Sequence, residues 1–140
     1  MSEFTTELKV DQLGDSKYYI LTEGFEYHVG DYPSDEVIVV PAGFITDFAS
    51  SPKFLHWLIP PKGKYGKACV IHDFCYFTGY DTKFRCDSIF LEGMEVLEVP
   101  KWKRETMYYG VVVFGWYGWF EGRSGRAHAK KEELKKIYLV

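Results

Sequence analysis

The residues of this sequence best suited to chemistry lie between positions 72 and 87. His72 and Tyr76 are four positions apart, so on a helix their side chains share one face. Asp87 follows a turn expected near positions 79 and 80, about as far beyond that turn as His72 is before it. In an antiparallel helical hairpin, His72 and Asp87 would therefore face each other.

A carboxylate opposite a histidine has a definite chemical use. It can accept the imidazole N–H, which fixes the tautomer and leaves the other ring nitrogen to act as a general base. Asp73 points about 100° further around the same helix, where it can face a different partner such as a metal ion. The alternative is that His72, Tyr76 and Asp87 form a polar network that only holds two helices together. The spacing allows both interpretations.

The elements that must position these residues are helices. A helical period runs from Tyr65 to about Phe77, and a turn follows at residues 79–81. A second helix is expected from near Thr82 until shortly before Pro100. A third helix follows Pro100 and includes the aromatic residues between 116 and 120. Glycine and serine at 122–125 indicate a linker. Residues 127–139 are expected to form a basic amphipathic helix or a frayed tail.

The first 60 residues predict strands. Phe25, Tyr27 and Val29 alternate with polar residues and follow a β-prone stretch at 18–22, which suggests a half-buried hairpin. The apolar run Val37–Val40 predicts a strand covered on both faces. Residues 44–61 hold three prolines and predict a loop with a short helix at 54–58.

These elements predict an α+β fold. N-terminal strands or a hairpin pack on a C-terminal three-helix region that contains the antiparallel helical hairpin. We expect a single domain over residues 1–126, followed by the basic helix or tail at 127–140. With 140 residues and 46% hydrophobic content, the chain can bury one substantial core.

Composition excludes several classes of function. The formal net charge of −3 provides no basic field for nucleic acid, so no nucleic-acid partner is expected. The longest apolar run, residues 107–120, is shorter than the roughly 20 residues of a transmembrane helix. The N-terminus has no apolar segment typical of a signal peptide, so synthesis in the cytoplasm is expected.

The three cysteines give a further prediction about the hairpin. Cys75 and Cys86 fall on facing turns near its closed end, so we expect two neighbouring reduced thiols. Cys69 is expected to be a buried small hydrophobe. All three could also be independent core residues.

The active-site region resembles secreted phospholipase A2. Residues 69–76 (CVIHDFCY) look like the active-site helix of that family, and the pair Cys86 and Asp87 resembles its facing-helix pair. The resemblance implies that His72 is the base that activates water, Asp87 its orienting partner and Tyr76 a second donor to Asp87. It also implies that Asp73 is a ligand of Ca²⁺, which would polarise the ester carbonyl.

Calcium requires several oxygen ligands, so a loop before the helix must contribute. The candidate is the segment 43–52, which contains Asp47 and departs from the glycine- and cysteine-rich calcium loop of the phospholipases. We expect Asp47 and Asp73 to share one calcium ion. Asp47 could instead be a helix N-cap or an Asx-turn residue.

A second resemblance covers residues 39–119. In this range the chain is similar to an uncharacterised family, a domain of unknown function (the 1353 family) found largely in bacteriophages and prophages. The similarity rests on residues 41–44, 46–50, 52, 63–68, 72–73, 87 and 114–116. It implies a phage protein, virion-associated as part of the tail or of the machinery that enters the cell, with phage structural proteins or host membrane lipid as partners.

Three functions follow as hypotheses. The first is hydrolysis of membrane-lipid esters at the His/Asp site, and the second is a non-catalytic virion structural or adaptor protein. The third is a metal-dependent phosphohydrolase of the HD type, because His56, His72, Asp73 and Asp87 superficially resemble its ligands. Those residues are crowded into a much shorter segment than that helical fold uses, which argues against the third.

Overall fold

A computed structural model describes residues 3–4, 8–16, 18–30, 33–46 and 66–139, with only the backbone at 3–4. Within these ranges the chain forms short antiparallel strands followed by helices, which confirms the predicted α+β class. The strands are β1 (Glu3–Phe4), β2 (Val10–Gln12), β3 (Tyr19–Leu21), β4 (Phe25–His28), β5 (Val37–Val40) and β6 (Ile45–Thr46).

The strands form two small antiparallel sheets. One has the order β1-β4-β5 and the other the order β2-β3-β6. In the first sheet, Phe25 lies opposite Val40 and Tyr27 opposite Ile38. The predicted hairpin between residues 18–22 and 25–29 is wrong, because β3 pairs with β2 and β6 whereas β4 pairs with β1 and β5 in the other sheet.

Burial along the first sheet follows the period of two expected of strands. Phe25, Tyr27 and Val29 are buried, as their alternation predicted. The prediction that Val37–Val40 is covered on both faces is wrong, since Val39 is 55% exposed while Val40 is buried. An antiparallel sheet can leave one face open to solvent, and β5 lies at the edge of its sheet.

Five helices follow within the described residues: α1 (Gly66–Thr78), α2 (Lys83–Val96), α3 (Lys101–Phe114), α4 (Trp116–Arg123) and α5 (Arg126–Tyr138). The hairpin of α1 and α2 turns at Gly79, which has a positive φ of 64° that favours glycine. Thr82 caps α2 by accepting a hydrogen bond from the Arg85 amide at 3.2 Å. The helix predicted after Pro100 is two helices, because a turn at Gly115 separates α3 from α4.

The main core lies between the first sheet and the helices α1 to α3. Its largest fully buried side chains include Tyr27 and Ile38 from the strands and Ile71, Phe90 and Met94 from the helices. A smaller cluster joins Leu134 of α5 to Leu13 and Ile45. This second cluster fixes α5 beside the second sheet, so the basic C-terminal segment is a helix packed onto the protein.

Candidate active site

The hairpin brings together the residues that the sequence predicted. His72 Nε2 lies 2.8 Å from Asp87 Oδ1, and the Tyr76 hydroxyl donates to the same oxygen at 2.5 Å. The other carboxylate oxygen, Asp87 Oδ2, accepts from the ammonium of Lys83 at 2.8 Å. His72 and Asp87 are 3% and 1% exposed, so this network is sealed from bulk solvent on most sides.

Asp87 is held as a carboxylate. Burial alone would raise its pKa, but the hydrogen bonds from His72, Lys83 and Tyr76 outweigh burial and hold the pKa below its usual range. The pKa of Tyr76 is raised, first by burial and then by its hydrogen bond to Asp87, so the phenol stays protonated and keeps donating. The site therefore contains a charged acceptor surrounded by donors.

The charge of Asp87 determines the tautomer of His72. An ionised carboxylate can only accept, so the hydrogen of a neutral imidazole is on Nε2 and the lone pair is on Nδ1. His72 Nδ1 is buried and has no hydrogen-bond partner among the residues described. This nitrogen is the atom of the network that can take a proton from a bound molecule.

A cleft of about 520 Å³ opens beside the network and is lined by His72, Asp73 and Tyr76. This volume lies within the roughly 300–1,000 Å³ of small-molecule sites. Helices α1, α3 and α4 and the turn between the last two give apolar and aromatic walls: Phe77, Val111, Phe114, Tyr117 and three glycines at 115, 118 and 122. The end of α4 and helix α5 add charged groups: Glu121, Arg126, Lys130, Lys131 and Glu133. The arrangement suits a ligand with a polar reacting group and an apolar body.

Helix α4 and the residue before it pack against Tyr76 through glycines, which have no side chain. A Cβ atom on Gly115 would lie 2.7 Å from the Tyr76 hydroxyl, and one on Gly122 would lie 2.4 Å from the Tyr76 carbonyl oxygen. Arg123 at the end of α4 donates to the carbonyls of Tyr76 and Phe77 at 3.0 and 3.1 Å. Close approach of α4 thus fixes the helix that carries the histidine.

Lys83 was not among the residues predicted from the sequence, although a signal was present. Lys83 and Asp87 are four positions apart on α2, the spacing at which opposite charges pair on a helix. Lys83 is buried and also donates to the carbonyls of Val111 and Val112 at 2.9 and 3.2 Å. It ties the α1–α2 hairpin to α3 and satisfies the Asp87 oxygen that His72 does not use.

The structure describes only some of the predicted metal ligands. Asp47 and His56 lie outside the described residues. Asp73 lines the cleft, and its Oδ2 lies 3.8 Å from the ammonium of Lys131 on α5. The same ammonium donates to the carbonyl oxygen of Ile45.

The described part of this region does not fit calcium. It offers the Asp73 carboxylate and the Ile45 carbonyl, both engaged by a lysine, whereas calcium takes six to eight oxygen ligands. No group of three or more His, Cys, Asp or Glu side chains among the described residues is arranged to hold a metal. The calcium site that includes Asp47 stays a prediction.

The thiols lie where the hairpin register places them. Cys69, Cys75 and Cys86 are buried and reduced. The Cys75 thiol hydrogen-bonds to Cys86, and this contact raises the pKa of Cys75 and lowers that of Cys86. The neighbouring thiols predicted from the sequence are therefore present.

Comparison with known proteins identifies the family of this chain. A family described as "Protein of unknown function (DUF1353)" matches residues 19–111, so the chain belongs to it. The chain is also similar to "Uncharacterized protein y4jT" of Sinorhizobium fredii (strain NBRC 101917 / NGR234), with 38% identity over 78 residues. That match covers 54% of this chain and 23% of the relative, so this chain spans about a quarter of its length. No solved structure matches significantly.

The residues matched by the family include the whole network of His72, Tyr76, Lys83 and Asp87. Lys131 lies beyond the matched range. In the part of the chain that the structure describes, no helix is long and apolar enough to span a bilayer.

Proposed function

We propose that this protein hydrolyses ester bonds of membrane phospholipids, with His72 as the general base. The observation that carries the proposal is the hydrogen bond between His72 Nε2 and Asp87, which leaves the buried Nδ1 to accept a proton beside a cleft. The resemblance of residues 69–76 to the active-site helix of secreted phospholipase A2 supports the same chemistry.

The proposed reaction uses one water molecule. His72 Nδ1 takes a proton from water while the water oxygen attacks the ester carbonyl carbon. The tetrahedral intermediate then collapses, the bond to the alcohol oxygen breaks, and His72 returns the proton to that oxygen. Asp87 holds the ring and balances the charge of the imidazolium, and Tyr76 and Lys83 keep Asp87 ionised and in place.

A lipid substrate is supported by the apolar surface around the cleft. Phe114 and Tyr117 line the cleft and are 58% and 73% exposed. Val113 and Phe120 are exposed four and three positions from Tyr117, and Tyr109 is exposed four positions before Val113. Such an aromatic surface suits contact with the interfacial region of a membrane. We therefore propose host membrane lipid as the partner. The placement in a phage virion is supported by the family resemblance of residues 39–119.

The direct test is release of fatty acid. Purified protein is incubated with phosphatidylglycerol or phosphatidylcholine vesicles, and the free fatty acid is quantified over time. His72→Asn should reduce the rate by a factor of about 10²–10⁴, the usual contribution of a general base. His28→Asn changes a histidine of the first sheet and should leave the rate unchanged. Absence of release by the wild type, or equal rates for wild type and His72→Asn, would contradict the proposal.

A non-catalytic virion adaptor stays the second candidate because of Lys83. Its ammonium neutralises Asp87, so the buried carboxylate has its counter-charge without any substrate, as in a structural ion pair. Under this alternative, His72→Asn would lower the free energy of unfolding, and neither the wild type nor the variant would release fatty acid.

A further inference from the structure

Among the described lysines of α5, only Lys131 has a largely buried side chain. Its side chain is 12% exposed, against 49% for Lys130 and 45% for Lys135. The ammonium lies 3.8 Å from Asp73 Oδ2 and donates to the Ile45 carbonyl. It also lies 4.7 Å from the ring centre of Phe44 and 4.9 Å from that of Phe77.

All four neighbours favour a cation at this point. A carboxylate and a carbonyl oxygen present negative charge, and the faces of two aromatic rings attract cations. A divalent ion approaching Asp73 would meet the positive charge of the ammonium, which is repulsive at short range. The position beside Asp73 is therefore already occupied by a positive charge that the chain itself supplies.

This charge belongs to the same cleft as the proposed base. Lys131, Asp73 and His72 all line it, and Asp73 follows His72 directly on α1. A lysine ammonium has three N–H donors, and the Ile45 carbonyl uses one of them. A second faces the Asp73 carboxylate, which leaves one donor that can point to an oxygen of a bound ester. Hydrogen-bond donors and cations held in this way stabilise the oxyanion of acyl transfer.

We propose that Lys131 is a catalytic residue that binds the oxyanion of the ester, in the role that the resemblance assigns to calcium, and that hydrolysis is therefore independent of metal. The inference rests on the proposed function. When water attacks the carbonyl carbon and His72 takes the proton, the electron pair of the C=O bond moves to oxygen, and the Lys131 ammonium stabilises that negative charge. The pair returns when the bond to the alcohol oxygen breaks.

Two measurements test this assignment. In the vesicle assay, wild-type hydrolysis should be unchanged when EDTA replaces calcium. Lys131→Gln should lower kcat by a factor of about 10²–10³ with little change in KM, as for loss of one oxyanion donor. Lys131→Arg should recover part of the rate because it keeps the charge. Lys135→Gln, on the same helix and 45% exposed, is the matched control that should behave like the wild type.

The second measurement does not depend on activity. The midpoint of thermal unfolding is recorded for wild type and Lys131→Gln over a calcium titration. A calcium ion that bound only the folded state would raise the unfolding midpoint. The midpoint of the wild type should therefore show no saturable rise with calcium. A saturable rise for the wild type, or hydrolysis that requires calcium and survives Lys131→Gln, would overturn the role of Lys131. Absence of hydrolysis by the wild type in both EDTA and calcium would overturn the proposed function together with the catalytic role of Lys131.

Discussion

His72 of α1 and Asp87 of α2 are 15 positions apart in sequence and share a hydrogen bond of 2.8 Å in the interior of the protein. Asp87 also accepts from Tyr76 and Lys83, so three donors from two helices converge on one carboxylate. This convergence fixes the orientation of the imidazole. It also makes Asp87 the residue on which both the stability of the hairpin and the proposed chemistry depend.

The first prediction concerns Asp87→Asn. The substitution keeps the shape of the side chain but leaves the Lys83 ammonium buried without a counter-charge, and removing one partner of a buried pair costs about 3–5 kcal/mol. Urea unfolding monitored by circular dichroism should show a loss of this size. The double variant Lys83→Met, Asp87→Asn should recover much of it. A loss below about 1 kcal/mol for Asp87→Asn would mean that the ion pair is not buried as described.

The second prediction concerns acid. Because the pKa of Asp87 is lower in the folded state than its ordinary value of about 3.9, the unfolded chain binds more protons as the pH falls. The stabilisation that ionised Asp87 contributes is fully present above the ordinary pKa. It is lost as the pH falls through the lowered pKa of the folded state. The difference in unfolding free energy between wild type and Asp87→Asn should therefore shrink from pH 5 to pH 2. A constant difference over this range would contradict the lowered pKa.

The third prediction concerns the glycines of α4. Gly122→Ala places a methyl group 2.4 Å from the Tyr76 carbonyl oxygen, so α4 must move away from α1. We expect a loss of about 1–3 kcal/mol of stability, as for other overpacked sites, together with lower activity. Gly118→Ala is the matched control, since its methyl group would lie 3.6 Å from the Tyr76 ring, an ordinary contact. Equal effects of the two substitutions on the thermal midpoint would count against this packing.

The fourth prediction concerns the thiols. Since Cys69, Cys75 and Cys86 are buried, none should react with a thiol reagent at an appreciable rate while the protein is folded. All three should react after unfolding in urea. Phe84→Cys provides a positive control because Phe84 is 72% exposed. A native thiol that reacts as fast as the introduced cysteine would show that the hairpin does not enclose these residues.

Much of the hairpin could be predicted because its signals are local. The helical period, the turn at Gly79 and the cap at Thr82 are all encoded within a few residues of where they act. Once the turn is placed, the pairing of His72 with Asp87 follows from counting along two antiparallel helices. Cys75 and Cys86 follow from the same count.

Apart from Lys83, whose spacing from Asp87 was a local signal, the features missed at the level of sequence depend on distant contacts. The separation of β3 and β4 into different sheets depends on partners elsewhere in the chain, and the exposure of Val39 depends on the position of its strand in the sheet. The break at Gly115 is linked to packing against Tyr76. Lys131 reaches Asp73 from 58 positions away, and only the packing of α5 on the second sheet brings them together.

Ester hydrolysis by water that His72 activates is tested most directly with phospholipid vesicles in water enriched in oxygen-18, with the products analysed by mass spectrometry. Attack of water activated by His72 on the ester carbonyl predicts one heavy oxygen atom in the carboxylate of the released fatty acid and none in the lysophospholipid. His72→Asn should give neither product above background. Heavy oxygen in the phosphate group of a product would contradict ester hydrolysis and indicate phosphohydrolysis. Absence of any labelled product from the wild type would contradict it in favour of a non-catalytic role.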